Sequence, residues 1–222
     1  MRIYQVVVAA VVLGTVCPVL LHHEVHGVWN VHQMALAFFL WLNTIIALWE
    51  ICLWLRIDRI QADHARFAVE YAGRPLDRVK DFFFTKISLA QVFAPTTWSE
   101  IWSSYALFDD SYADRKSFGF WIDVGNGFST LLVSLLYLYG ATFELLPARV
   151  LGILGLLACY QMFYGTVIYL SSFVGNGRHR GHTLANLAIF VGLSNGIWIV
   201  FPGWAIWCAY QLIETNTYDV FR

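Results

Sequence analysis

Five apolar runs, each about as long as a bilayer is thick, decide most of what this chain can become. They fall at residues 3–21, 34–55, 118–145, 150–174 and 183–213. A helix needs about 20 apolar residues to cross the hydrocarbon layer. The expected fold is therefore an all-α integral membrane protein. One domain spans residues 1–222 as a bundle of about five transmembrane helices. A long polar and interfacial segment, 56–117, separates the second span from the third. The first run competes with a signal peptide. It is long for one, however, and the following HHEVHGVWNVH lacks a small-residue cleavage pattern. We read it as a membrane helix.

Composition agrees. Only 13% of the 222 residues are charged and 59% are hydrophobic, against about 25% charged in soluble domains. A net charge of −1 argues against nucleic acid as a partner. The 10 Trp, 17 Phe and 11 Tyr exceed what interfacial belts require and suggest an aromatic-walled cavity. Cys17, Cys52, Cys159 and Cys208 lie in apolar segments without disulfide or zinc spacing. Arginines cluster at 56–117 and at Arg178 and Arg180, which places both loops in the cytosol.

The segment 56–117 divides in two. Its first part mixes both charge signs at helical spacing up to a Gly-Arg-Pro turn, as expected of a solvated amphipathic helix. Its second part, FFFTKISLAQVFAPTTWSEIW, is broken by Lys86, Pro95 and Glu100 and reads as interfacial or re-entrant. His22, His23, His26 and His32 sit between spans without the HExxH spacing. They read as solvated or headgroup-facing. GNGRHRG, residues 175–181, reads as a flexible basic turn near headgroups. No metal or cofactor is expected.

The informative residues are polar ones inside the spans. Asp123, Asn126 and Thr130 fall at i, i+3 and i+7, on one face of the third span. Asn43 and Glu50 share a face of the second, Gln161 and Tyr164 a face of the fourth, and Asn195 and Trp198 a face of the last. A charged side chain at the bilayer centre costs roughly 2.5–3.5 kcal/mol or more, so these groups are expected to face inward. Two carboxyls held together away from water keep a proton on one of them. A neutral carboxylic acid can protonate an alkene. Trp198, Trp121 and neighbouring rings could stabilise the cation, with cation–π attraction worth about 2 kcal/mol when desolvated. A second group then removes a different proton and the double bond has moved. If another alkene traps the cation, the outcome is cyclisation. The competing reading is interhelical glue, worth about 0.6 kcal/mol per hydrogen bond.

The same residues carry a family resemblance. Trp102-Ser-Ser-Tyr105-Ala106 with Asp109-Asp110-Ser111, the Ser117 to Asp123 approach, Gln161 with Tyr164-Gly165, and Asn195-Gly-Ile-Trp198 with Pro202-Gly203 resemble the emopamil-binding protein (EXPERA) family, which includes the sterol Δ8–Δ7 isomerase. The resemblance covers roughly residues 35 to 213. It implies a five-span protein of the endoplasmic reticulum that shifts a double bond in a sterol-like or terpenoid lipid without a cofactor. By the same resemblance, Asp123, Glu50, Trp198 and Asn195 are the catalytic set. Asn126, Trp121, Gln161, Tyr164, Tyr105 and Asn43 are the candidate substrate-binding residues. The chain departs from the pattern twice. Ile46 stands where the isomerase has His, and Asp123 is one methylene shorter than its Glu. Both departures point to a diverged relative acting on another isoprenoid lipid. Trp49-Glu50-Ile51 and Phe93-Ala94-Pro95 with Trp98-Ser99 are also similar to fungal meroterpenoid membrane cyclases. The alternatives are thus such a cyclase, a non-catalytic lipid receptor of the family, or a structural subunit. The expected partners are a hydrophobic polycyclic or isoprenoid small molecule, membrane lipids and, through Gly192-x-x-x-Gly196, a second copy of the chain.

Overall fold

The computed structural model describes the backbone of residues 1–222 and every side chain but that of Phe190. Helices make up nearly all of it. They are α1 (Ile3–His26), α2 (Val31–Leu55), α3 (Ile57–Glu70), α4 (Pro75–Phe84), α5 (Leu89–Val92), α6 (Pro95–Tyr105), α7 (Phe118–Phe143), α8 (Ala148–Gly175), α9 (Leu184–Asn186) and α10 (Ser194–Thr215). A 3-10 turn, Asp110–Ala113, precedes α7, and a π-helical segment, Leu187–Leu193, joins α9 to α10. Among the described residues the only β pairing is one bridge, Arg2 with Lys86.

Five helices are long and apolar enough to cross a membrane: α1, α2, α7, α8 and the continuous run Leu184–Thr215. These match the expected spans to within a few residues except at α1. That helix continues past Leu21 through the histidines to His26. Pro18 does not end it. Where Pro18 interrupts the ladder, its own carbonyl accepts from Gln33 Nε2 at 3.3 Å. One turn earlier, a Cβ on Gly14 would lie 1.7 Å from the Trp41 indole nitrogen, which donates to Ala10 O at 2.8 Å. Only glycine allows that approach.

The chain forms two compact units. The first comprises residues 1–8, 48–128 and 168–194. Its core gathers Leu53, Ile57, Ile60, Trp102, Tyr112, Phe120, Val124 and Tyr169, with a smaller cluster of Ile3, Phe82 and Ile87. Here the segment 56–117 becomes a packed helical layer. Pro75 and Pro95 start α4 and α6 at the position where a missing N–H costs least. A capping box between Ser88 and Gln91 starts α5. α3 buries Ile57, Ile60 and Phe67. Arg78 of α4 is buried rather than solvated. It meets Glu100 at 2.9 Å and lies 4.0 Å over the Phe67 ring.

The second unit comprises residues 9–47, 129–167 and 195–222. Its core runs through Leu36, Phe39, Leu40, Tyr137, Leu151, Met162, Cys208 and Leu212. The expectation of solvated histidines fails here for His22, which is 1% exposed. Its Nε2 lies 2.7 Å from Phe221 O and its Nδ1 3.3 Å from Thr142 Oγ1. His26 reaches Thr142 O, and His32 accepts from Trp204 Nε1 at 2.9 Å. His22 and His26 find partners because α1 carries them inward on its last turn instead of releasing them into a loop.

Candidate active site

The polar stripe of α7 divides between the units. Asp123 and Asn126 belong to the first and Thr130 to the second. Asn126 is buried and Asp123 half-buried. From α2, Glu50 enters the first unit only 5% exposed, close enough for the charge of Asp123 to act on it. Two acids from different helices therefore lie within reach of each other's charge. Among the described residues Glu50 Oε2 has no hydrogen-bond partner although it is fully buried.

The walls around the pair are aromatic. Trp102 donates from its indole nitrogen to Trp49 O at 2.7 Å, fixing α6 against α2. Trp49 stacks on Trp98 with ring centroids 5.3 Å apart. Tyr105 and Trp102 both pack on Tyr112, at 5.0 and 5.4 Å.

Tyr112 brings in residues that sequence reasoning did not select. It packs in one core with Phe120 and Val124 of α7, the latter next to Asp123. Burial, and after it the Asp123 charge, pushes the Tyr112 phenol well above its ordinary value. Tyr112 also packs on Tyr169 of α8, ring centroids 5.8 Å apart, and Tyr169 donates to Asp109 Oδ2 at 2.9 Å. Asp109, with its side chain 1% exposed, receives Arg178 Nη1 on both oxygens, at 2.7 and 2.9 Å. Ser111 N donates to Asp109 Oδ1 at 3.0 Å, and Arg178 Nη2 donates to Ser172 Oγ at 2.9 Å. Thus Arg178 is not a free basic group near headgroups: its Nη1 holds a buried aspartate and its Nη2 a serine. The 3-10 turn carrying Tyr112 lies tight on α7 because residue 119 is glycine. A Cβ there would come within 2.4 Å of Ser111 Oγ.

Beside this network opens a polar cleft of about 520 Å³. Asp109, Arg178, His64, Tyr71, His182 and Asn186 line it, all from the first unit.

The remaining expected site residues are placed as follows. Trp121 is 54% exposed, and its indole nitrogen donates to Arg115 O at 2.7 Å. The other five belong to the second unit. Asn43 is buried and satisfied, donating to Thr130 Oγ1 and Ser134 Oγ at 3.0 Å each and accepting from Trp198 Nε1 at 3.1 Å. Gln161 donates to Ser129 Oγ at 2.6 Å. Tyr164 is 51% exposed and stacks on Tyr160 at 5.8 Å. Asn195 is half-buried.

Chemically, the first unit offers two acids among aromatic side chains. If both carboxyls were ionised they would repel, and one shared proton removes that repulsion. Such a pair can give up a proton and take one back. Among the described residues no group of three or more His, Cys, Asp or Glu is placed to hold a metal. No protein-family model matches the chain, and no curated protein is detectably similar to it.

Proposed function

We propose that the chain is a cofactor-free acid/base enzyme of the endoplasmic-reticulum membrane, a diverged relative of the sterol Δ8–Δ7 isomerases. In this reading it moves a double bond in a sterol-like or other isoprenoid lipid. One observation carries the proposal: near a second acid, Glu50 keeps a fully buried carboxyl oxygen that has no hydrogen-bond partner among the described residues. An unsatisfied buried polar group costs about 1–3 kcal/mol. A residue kept only as glue would be expected to find a partner.

The chemistry follows from the pair. The protonated carboxyl gives its proton to one alkene carbon, and the π electrons that form the new C–H bond leave a cation on the other. The faces of Trp49, Trp102 and Tyr105 suit that cation. The remaining carboxylate removes a proton from the neighbouring carbon, and that C–H pair becomes the new double bond. The lipid's formula is unchanged, and the pair again holds one proton. In this reading Asp123 is the donor and Glu50 the second carboxyl. Asn195 and Trp198 enter on the resemblance alone.

The test is expression in a yeast strain lacking its own sterol Δ8–Δ7 isomerase, with sterols profiled by mass spectrometry. Restored Δ7 sterols, lost in Asp123→Asn, would identify the substrate as a sterol. Unchanged Δ8 sterols from a folded, membrane-inserted protein would remove sterols as the substrate.

A further inference from the structure

α4, α5 and the turn between them form a hook against the start of α1. Ile3 N donates to Thr85 O at 3.1 Å and Ile87 N to Met1 O at 2.8 Å, which pairs Arg2 with Lys86 across the β bridge. Ile3, Phe82 and Ile87 are buried together. The capping box at Ser88 starts α5, and Trp98 Nε1 donates to Val92 O at 2.8 Å. With those groups turned inward, the hook leaves Phe84, Leu89 and Phe93 more than half exposed. All these residues belong to the first unit.

The charge around the hook has one sign. Residues 1–23 and 82–99 contain no Asp or Glu, and Arg2 and Lys86 are their only Arg and Lys. Both side chains are exposed. Elsewhere in the helical layer Arg59, Arg66, Arg74, Arg78, Lys80 and Arg115 each meet an acid. Among the described residues Arg2 and Lys86 have no ion-pair partner, and Arg2 lies 5.6 Å over the Phe84 ring. Two cations without countercharge thus border three outward apolar side chains.

α1 sets the level of this patch. Arg2 immediately precedes an apolar helix long enough to cross a membrane, which is where headgroups lie. The backbone bridge holds Lys86 at the same level. An apolar face bordered by cations suits a segment lying in the plane of the interface, with its apolar side among acyl chains and its cations on anionic headgroups.

We propose that the hook is a binding site for anionic phospholipid of the surrounding leaflet. Arg2 and Lys86 hold the headgroup, and Phe84, Leu89 and Phe93 enter the boundary between headgroups and acyl chains. The charge decides the occupant: a leaflet supplies anions and hydrocarbon side by side at one depth. The inference rests on α1 lying in a membrane and is independent of the acid pair. It bears on that pair through Trp98, which joins α5 to Trp49, the neighbour of Glu50. Lipid held at the hook steadies that wall.

The test reads which lipid touches the hook. The full chain is placed in nanodiscs of equimolar phosphatidylcholine and phosphatidylglycerol, one or the other carrying a diazirine near the glycerol end of an acyl chain. Crosslinked peptides are then read by mass spectrometry. The wild type is expected to take more label on residues 84–93 from phosphatidylglycerol than from phosphatidylcholine. Arg2→Gln and Lys86→Gln should each reduce that preference by about fivefold at low salt, with phosphatidylcholine labelling retained. Lys80→Gln, which alters a cation already paired with Asp77, keeps the wild-type preference. Leu89→Ser with Phe93→Ser lowers labelling from both lipids. Every altered residue is exposed, so the fold is kept. Equal labelling by both lipids in the wild type, a preference that survives both glutamines, or hook labelling that survives both serines overturns the proposal. So does a hook that neither lipid labels in a chain whose spans are labelled, the result expected if water or another protein covered it.

Discussion

The two units bury polar groups among apolar helices in opposite ways. In the second, Asn43 has every hydrogen bond its amide groups need, from Thr130, Ser134 and Trp198, and His22 is tied to Phe221 and Thr142. These groups can be neutral, matched and static. In the first, the buried groups are acids and phenols. One carboxyl oxygen of Glu50 has no partner among the described residues, and Tyr169 leads through Asp109 to an ion pair at the edge of a cleft. A matched network stabilises a fold. An under-matched one costs stability, and a protein keeps it where the loose group does something.

That contrast can be broken by measurement. The largest effect is expected at Asp123. Asp123→Asn should lower turnover by about 10²- to 10⁴-fold, the range for a lost general acid, while the melting temperature in detergent stays near the wild-type value. Next comes Arg178→Ala. It leaves Asp109 buried without its countercharge and should cost about 3–5 kcal/mol of stability, read as an early thermal melt. Asn43→Ala strands its partners in the second unit and should cost about 1–3 kcal/mol. Glu50→Gln sharpens the comparison most, because stability and activity should move in opposite directions. Removing an unsatisfied buried acid leaves the melt unchanged or raises it, whereas turnover falls. The smallest effect concerns His64. Burial pushes its imidazole below the ordinary value, against the pull of Asp110. The unfolded chain therefore binds that proton first. Stability should fall as pH drops through about 6.5, and His64→Gln should flatten that limb of a melting-temperature profile.

Much of the scaffold was legible in the sequence. Apolar runs of membrane length announce themselves whatever they pack against, and α2, α7, α8 and the last span lie where those runs predicted. So was the inward turn of Glu50 and Asp123, because an acid on a helix of this kind has few affordable directions. The rest depended on partners far apart in the chain. Asp109 and Arg178 are separated by 69 residues, and each alone resembles an ordinary loop charge. Tyr169 is one of 11 tyrosines, and nothing local marks it as the one that meets Tyr112. Aromatic residues surround most of these helices, so helical period alone could not show that Trp121 and Tyr164 would lie more than half exposed. The inward histidines of α1 were missed because helix length was judged by hydropathy. His22 satisfies its ring with a backbone carbonyl from the chain's far end, which hydropathy does not report.

The central claim is that the first unit's acid pair delivers a proton to carbon. The most direct measurement is incubation of membranes carrying this chain with a mixed sterol and isoprenoid-alkene extract in D2O, followed by mass spectrometry of the recovered lipids. The account predicts a product with deuterium bound to carbon, formed by the wild type and absent with Asp123→Asn at equal expression. Equal labelling by both proteins, or no labelled product from a folded wild type, would contradict it.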